Sequence, residues 1–403
     1  MHRLSIGSVA IIALGILAGW SAEAGAQGVT AFEGARIIVG DGRVVENGTL
    51  IVSGPKITQI GGTVPAGATR VNLAGKTVMP MLIDAHTHLS TTRDKLVLDL
   101  RQRAYFGVGA ALSLGTDSFE TLDLRNKDTP GMARYFSAGK GLSRPEGRPT
   151  LEINSVEDAR KAVRENVAHK VDIIKVWVDD REGKVQKVTP EMYAAAIDEA
   201  HRNDVRVTAH IFNLEDGKGL IRAGLDAFAH SVRDKDIDDE MLMLYKSRPN
   251  MVVNPNLPDR GIKQDLNWLK ASLAPADYAK LEEGNTDRPK QQQAHGIQAR
   301  NLAKISAAGV KIILGTDGNR AWSPHEEAAD MVAAGMTPMQ VIVAATKNGA
   351  EFLRMSDTGT LETGKNADFI VLDANPLDDI ANTRKIASVY LRGAAVDRSQ
   401  LPR

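Results

Sequence analysis

The residues of this chain that could do chemistry are few and lie far apart. His86 and His88 flank Thr87, and because residues i and i+2 of an extended strand point the same way, the two imidazoles would form a metal clamp on one face. His-x-His alone is a weak motif that arises by chance. Its company is more telling. Lys175 sits inside the apolar run Asp172-Ile173-Ile174-Lys175-Val176-Trp177-Val178, His210 and His230 close short apolar stretches, and Asp317 stands in Gly315-Thr316-Asp317-Gly318. Most of these also have an ordinary reading: His210 could be a core histidine bonded to backbone, His230 a turn cap, and Asp317 the carboxylate of an Asx turn. For Lys175 the ordinary reading is a lysine snorkelling from a strand end. A free ammonium in the middle of a buried strand is otherwise costly unless neutralised or paired, and beside two dications an unmodified lysine would be repelled. An amine of depressed pKa that takes up carbon dioxide becomes a carbamate, N6-carboxylysine, whose two anionic oxygens could bridge a metal pair.

Such residues act together only if the fold brings them to one place. Candidate strands at 78–88, 110–114, 134–137, 173–178, 206–210, 227–230, 251–254 and 311–316 alternate with amphipathic helical stretches, the pattern that builds a parallel sheet. Helix starts are marked by Ser155 with Asp158 three residues on, and by Thr189-Pro190, Ser323-Pro324 and Thr337-Pro338, each a hydroxyl ahead of a first turn. Strand-helix units of this number over residues 78–356 predict an α/β fold of the (β/α)8 TIM-barrel type. No G-x-G-x-x-G follows the first strand to favour an open doubly wound sheet. The four histidines and Asp317 then gather at the C-terminal pole, where barrels of this kind keep their catalytic groups. Residues 27–77 break into short β-branched pieces at the hairpin signals Asp41-Gly42 and Asn47-Gly48 and predict a small antiparallel sheet. Residues 357–403 carry further strands at 369–372 and 387–391, so the two ends are expected to pair into one small β-sandwich, with the barrel inserted between them.

Composition narrows the function. With 43% hydrophobic and 25% charged residues among 403, disorder and a small stapled scaffold are excluded. The 50 Lys+Arg balance the 50 Asp+Glu, so nothing favours nucleic acid and the expected partner is a small molecule. Cysteine is absent, which removes disulfides, thiolate metal sites and a cysteine nucleophile. Residues 1–26 combine His2 and Arg3 with an apolar run from Ile6 to Trp20 and the small-residue endings Ala22-Glu23-Ala24 and Ala24-Gly25-Ala26, which reads as a secretory signal cut near Ala26. Gly7, Ser8, Gly15 and Gly19 interrupt that run, which is shorter than the roughly 20 residues a membrane span needs. The mature chain is therefore expected to be exported, periplasmic or secreted, and free of the membrane; a homo-oligomer is compatible with the sequence.

The order His86, His88, Lys175, His210, His230, Asp317, with the strand Val78-Met79-Pro80-Met81-Leu82-Ile83-Asp84-Ala85-His86-Thr87-His88 and the closing segment Gly359-Thr360-Leu361-Glu362-Thr363-Gly364-Lys365-Asn366-Ala367-Asp368, resembles the amidohydrolase superfamily. It is most similar to the binuclear members with a bridging carboxylated lysine, over nearly all of the mature chain. The resemblance implies that His86, His88 and Asp317 hold one metal, that His210 and His230 hold a second, and that Lys175 bridges them. Zinc suits such an all-nitrogen-and-oxygen site, with manganese or cobalt as alternatives. Two such ions about 3.5–4 Å apart would acidify a shared water to hydroxide. Asp317 would take its proton and return it to the leaving nitrogen, and His230 would help orient the carbonyl.

Within the superfamily the chain looks like the prolidase-like and Xaa-Arg dipeptidase-like enzymes, which cleave C-terminal amides of dipeptides and N-acyl amino acids. It departs from them at Met81, where glycine is usual, and at Phe212, where a tyrosine associated with substrate binding stands. Arg233 and Arg320 could take over the grip on a substrate carboxylate, although loop arginines are commonly just solvated. His325 could reach the substrate from the loop after the last strand, Trp177 could line the pocket or pack the barrel, and His169, His201 and His295 fall on helices away from the pole. The same hydroxide attacks lactones, esters and phosphotriesters, so these form the principal alternative. Mononuclear deaminases lack the bridging lysine, and a non-catalytic descendant would have lost a ligand, whereas here all six are present.

Overall fold

The computed structural model describes residues 28–145, 149–257 and 259–403. The expected secretory signal, residues 1–26, lies outside them, and among the described residues no helix is long and apolar enough to cross a membrane.

The two ends of the chain meet in one sheet. Val29–Ile38 pairs antiparallel with Val44–Ser53 and parallel with Thr69–Asn72 and Thr77–Pro80. Thr77–Pro80 pairs antiparallel with Phe369–Leu372, which pairs with Ile386–Leu391. The sheet is therefore mixed, not purely antiparallel. Its strands alternate faces with period two: Ile37, Val78 and Phe369 join Phe32, Leu50 and Ile57 in a core of their own, whereas Ile38, Met79 and Ile370 pack into the main core shared with the barrel. Phe32 and Tyr390 lie on strands three places apart in the sheet order, about 14 Å if the sheet were flat, yet their rings meet at 4.9 Å. The sheet curls around its apolar face, so the small β domain is one curled sheet rather than the two facing sheets of the expected sandwich. Asn47-Gly48 makes no hairpin. Both residues lie inside Val44–Ser53, where the register shifts opposite Ala35 and Asn47 takes a left-handed φ of 50°, the mark of a bulge.

Between the ends runs the (β/α)8 barrel. Among the described residues its parallel strands are Leu82–Thr87, Val108–Ser113, Arg134–Ser137, Ile174–Val178, Val207–Ile211, Ala227–Phe228, Val252–Val253 and Lys311–Ile312. They form two sheet pieces, joined on one side by the Asp172 N–H to Ser137 O bond at 2.9 Å. On the other side Ala85 N–H donates to Leu314 O (2.9 Å) and Thr316 N–H to His86 O (2.7 Å). The interior is filled by Ile83, Ala85, Ala110, Leu112, Phe136, Ile173, Ala227, Val252 and Ile313, closed below by Ala350, Phe352 and Met355. The barrel is thus a packed core rather than a pore, and polar groups can gather only above it.

Local rules account for most helix starts. Ser155 caps Val156–Ala168 by accepting from Asp158 N–H, and Thr337 forms a full capping box with Gln340 ahead of Pro338–Val343. Ser323 is instead the first residue of Ser323–Ala333, with Trp322 at the cap.

Candidate active site

Parity along the strands sets the site. Ile173 belongs to the barrel interior and Ile174 and Val176 to the outer core, so Lys175 stands in the interior directly above Ile173. By the same alternation Val207, Ala209 and Ile211 face outward and leave His210 turned in. His86 is the penultimate residue of the first strand and His88 follows that strand, His230 lies two residues past Ala227–Phe228, and Asp317 lies past Lys311–Ile312. Asp317 adopts a left-handed φ of 54°, a conformation a non-glycine residue adopts at some cost and one often found at functional sites.

Three histidines close on Asp317. Its Oδ1 is 3.2 Å from His86 Nε2 and 3.1 Å from His88 Nε2, and its Oδ2 is 3.5 Å from His230 Nε2. The His210 ring stacks edge-on to His230 with centroids 4.5 Å apart. His86, His88 and Asp317 form the one His/Asp/Glu group among the described residues whose ligand atoms are close enough to hold a metal ion. The structure thus brings all six sequence-derived residues to one pole.

The electrostatics suit a cation. Burial lowers the pKa of His86 to about 4, with Lys175 adding to the effect and Asp317 opposing it, and burial likewise takes His210 to about 4 and His230 well below the ordinary value. Each shift favours the neutral imidazole, whose lone pair can bind a cation. His86 Nδ1 donates to Ala229 O (2.9 Å) and Asn256 Oδ1 (2.7 Å), which turns its Nε2 lone pair toward Asp317. His210 Nε2 donates to Asp179 Oδ2 at 3.0 Å, leaving Nδ1 for the site. Burial works against the Asp317 carboxylate, but His230 and His86 more than offset it and hold its pKa below the usual range. Lys175 is fully buried, and its Nζ has no hydrogen-bond partner; burial lowers its pKa to about 7, Asp317 opposing and Arg233 reinforcing the shift. His86 Nε2 and His230 Nδ1 are buried without hydrogen-bond partners as well. Buried polar atoms left unmatched cost free energy unless something binds them. A borderline nitrogen-and-oxygen donor set with these orphaned atoms fits divalent metal.

The remaining expected contacts divide. Arg233 is partly buried beside the cluster, where its charge acts on His230 and His210, and its backbone N–H donates to Phe212 O at 2.9 Å. Trp177 is 3% exposed, its ring against Gly115 and Gly141 with Lys175 Nζ 5.2 Å from its centroid; it packs the barrel more than it lines a pocket. Arg320 is exposed on a cleft of about 420 Å³ that opens beside Thr316 and is walled by Leu257, Gln264, Arg288, Glu326 and Glu327. His325 is a correction. It is fully buried, with Nε2 donating to Phe106 O (2.8 Å) and Nδ1 3.0 Å from Thr383 Oγ1, so it ties the last barrel helix to the terminal segment and cannot reach a substrate. Asp179 and Asn256, which orient His210 and His86, were missed. Asp179 follows the lysine strand directly and could have been found from its place at a strand end; Asn256 carries no sequence signal.

A barrel whose C-terminal mouth gathers histidines around one aspartate is the architecture of a metal-dependent hydrolase. Residues 77–396 match the amidohydrolase family, and the chain belongs to it. The family is generally metal-dependent, and the chain is a hydrolase acting on C–N bonds. The imidazolonepropionase of Deinococcus radiodurans is 26% identical over 386 residues, covering 88% of this chain and 94% of that protein, and that of Shouchella clausii is 25% identical over 368 residues, covering 82% and 80%. Among solved structures, one described as a prolidase from Bifidobacterium longum superposes with a TM-score of 0.77 at 28% identity, covering 94% of this chain and 97% of that one.

Replacing His325 by alanine should cost roughly 2–4 kcal/mol in chemical denaturation, from the lost hydrogen bonds and the cavity left behind. The metal content of the folded variant, measured by elemental analysis, should stay at the wild-type level.

Proposed function

We propose that this chain hydrolyses an amide bond of a dipeptide or N-acyl amino acid-like substrate, with two divalent metals, best zinc, in the cluster around Asp317. The observation that carries the reading is the convergence of His86, His88 and His230 on one carboxylate beside a buried Lys175 amine that has no hydrogen-bond partner. His86, His88 and Asp317 would hold one ion, His210 and His230 the other, and Lys175, carboxylated on Nζ, both. Bound there, such ions supply Lewis acidity toward a water and toward a carbonyl oxygen.

The chain's own groups do the rest. The Asp317 side chain is 37% exposed, so a carboxylate held ionised by its neighbours still faces the mouth and can take a proton from an attacking water. It then returns the proton to the departing amine, without which an amide nitrogen is a poor leaving group. His230, 1% exposed beneath the same oxygen pair, is placed to orient the carbonyl. Arg233 is a cation at the rim that forms no ion pair among the described residues, with Asp317 and Asp179 acting on it only at longer range; it suits a substrate carboxylate. Arg320, on the cleft beside Thr316, and Phe212 would border the same substrate.

Three measurements test this. Lys175→Ala should abolish turnover and lower bound metal, with partial rescue by a short carboxylic acid, whereas Asp317→Asn should lose turnover by about 10²-fold or more while keeping much of the metal; full activity with two metals in Lys175→Ala would sink the carbamate. A panel of N-acyl amino acids, their methyl esters, lactones and a phosphotriester should favour the acids with a free carboxylate, and a preference for lactones or triesters would replace the amide reading. Export is proposed from the leader alone: the mature protein recovered from its native host should begin near Gln27, and an intact leader would overturn it.

A further inference from the structure

We propose that Asp84 is a positioning residue: its carboxylate clamps Thr316 and so fixes where the Asp317 carboxylate stands relative to His86 and His88. The inference rests on reading Asp317 as a metal ligand. Asp84 is fully buried. Its Oδ1 accepts from Thr316 N–H at 3.1 Å and its Oδ2 from Thr316 Oγ1 at 3.0 Å, so both oxygens engage one residue. The same Oδ1 lies 3.4 Å from His86 N–H, which places the strand bearing the histidines and the turn bearing Asp317 on a single carboxylate. His86 O adds a second tie, accepting from Thr316 N–H at 2.7 Å and Asp317 N–H at 2.8 Å. Behind the carboxylate stands Arg103, itself fully buried, whose Nη2 donates to Thr87 Oγ1 at 2.7 Å.

The clamp has work to do because Asp317 holds φ at 54°, a conformation that a residue with a side chain adopts at some cost. A turn free to relax would carry the carboxylate away from His86 Nε2 and His88 Nε2. Groups of this kind, one bond removed from a ligand, commonly govern metal affinity without touching the metal.

The experiment compares Thr316→Val, which removes the hydroxyl and keeps the branched shape, with Thr316→Ser, which keeps the hydroxyl. Zinc affinity is read by chelator competition and zinc content by elemental analysis. Hydrogen exchange of the peptide spanning 314–318 is followed in metal-free protein. Thr316→Val should lose about tenfold or more in zinc affinity and exchange faster across the turn, with Thr316→Ser near wild type on both. Asp84→Asn should fall with Thr316→Val; should it fail to fold, the Thr316 pair decides alone. Wild-type zinc affinity in folded Thr316→Val overturns the proposal, whatever the exchange rates do. Asp317→Ala in the same assay separates the two levels: if it too binds zinc normally, the ligand reading has failed, and if it alone loses zinc, only the positioning role has.

Discussion

Everything at the mouth of this barrel depends on one seam. The first strand and the segment after the last are 230 residues apart, from His86 to Thr316, yet are laced by backbone bonds from Ala85, Thr316 and Asp317 and by a bond from His88 N–H to Gly318 O. Gly315 lies so close that a Cβ there would stand 2.5 Å from His86 N, so the two segments can pack only because that side chain is missing. Closing the barrel and assembling His86, His88 and Asp317 are the same physical event. A site built this way gains rigidity from the whole barrel, because the residues that form it cannot separate without opening the sheet.

The seam also sets the electrostatics. Packed below by alanine, isoleucine and phenylalanine side chains, the mouth offers little water to its histidines and to Lys175, and desolvation is the leading cause of each depressed pKa. Charge that cannot be solvated must be matched. The protein supplies one carboxylate at contact distance to three imidazoles and leaves the lysine amine, His86 Nε2 and His230 Nδ1 without hydrogen-bond partners. That deficit distinguishes a prepared site from a satisfied polar core, where hydrogen bonds would already be complete.

Around this centre the fold spends its polar residues on orientation. Asp179 and Asn256 bond His210 and His86 from the turns just beyond their strands, whereas Asp84 bonds Thr316 from within the first barrel strand. Charged pairs elsewhere tie the small domain to the barrel: Arg134 in the third barrel strand reaches Asp357 with both Nη atoms at 2.8–2.9 Å. His325 serves in the same way, as a buried link between helix and terminal segment.

Local pattern carried the sequence a long way. Apolar runs separated by helical periodicity, with hydroxyl caps at Ser155 and Thr337, gave the barrel strands and their order, because the packing of a parallel sheet writes itself into successive short apolar segments. The six residues at the mouth were legible because their types are costly or unusual where they stand. The failures share a cause. Asn47-Gly48 satisfies the rule for a hairpin but became a bulge, since pairing with the adjacent strand Val29–Ile38 decided its register. His325 looked free because nothing nearby in sequence reveals Phe106 or Thr383. Asp84, Asn256 and Asp179 act on partners up to 232 residues away. The sequence by itself determined which side chains are present and which segments could be strands. Only the tertiary structure decided which of them share a hydrogen bond, because distances across a closed barrel are set by the seam and by burial, and neither has a local signature.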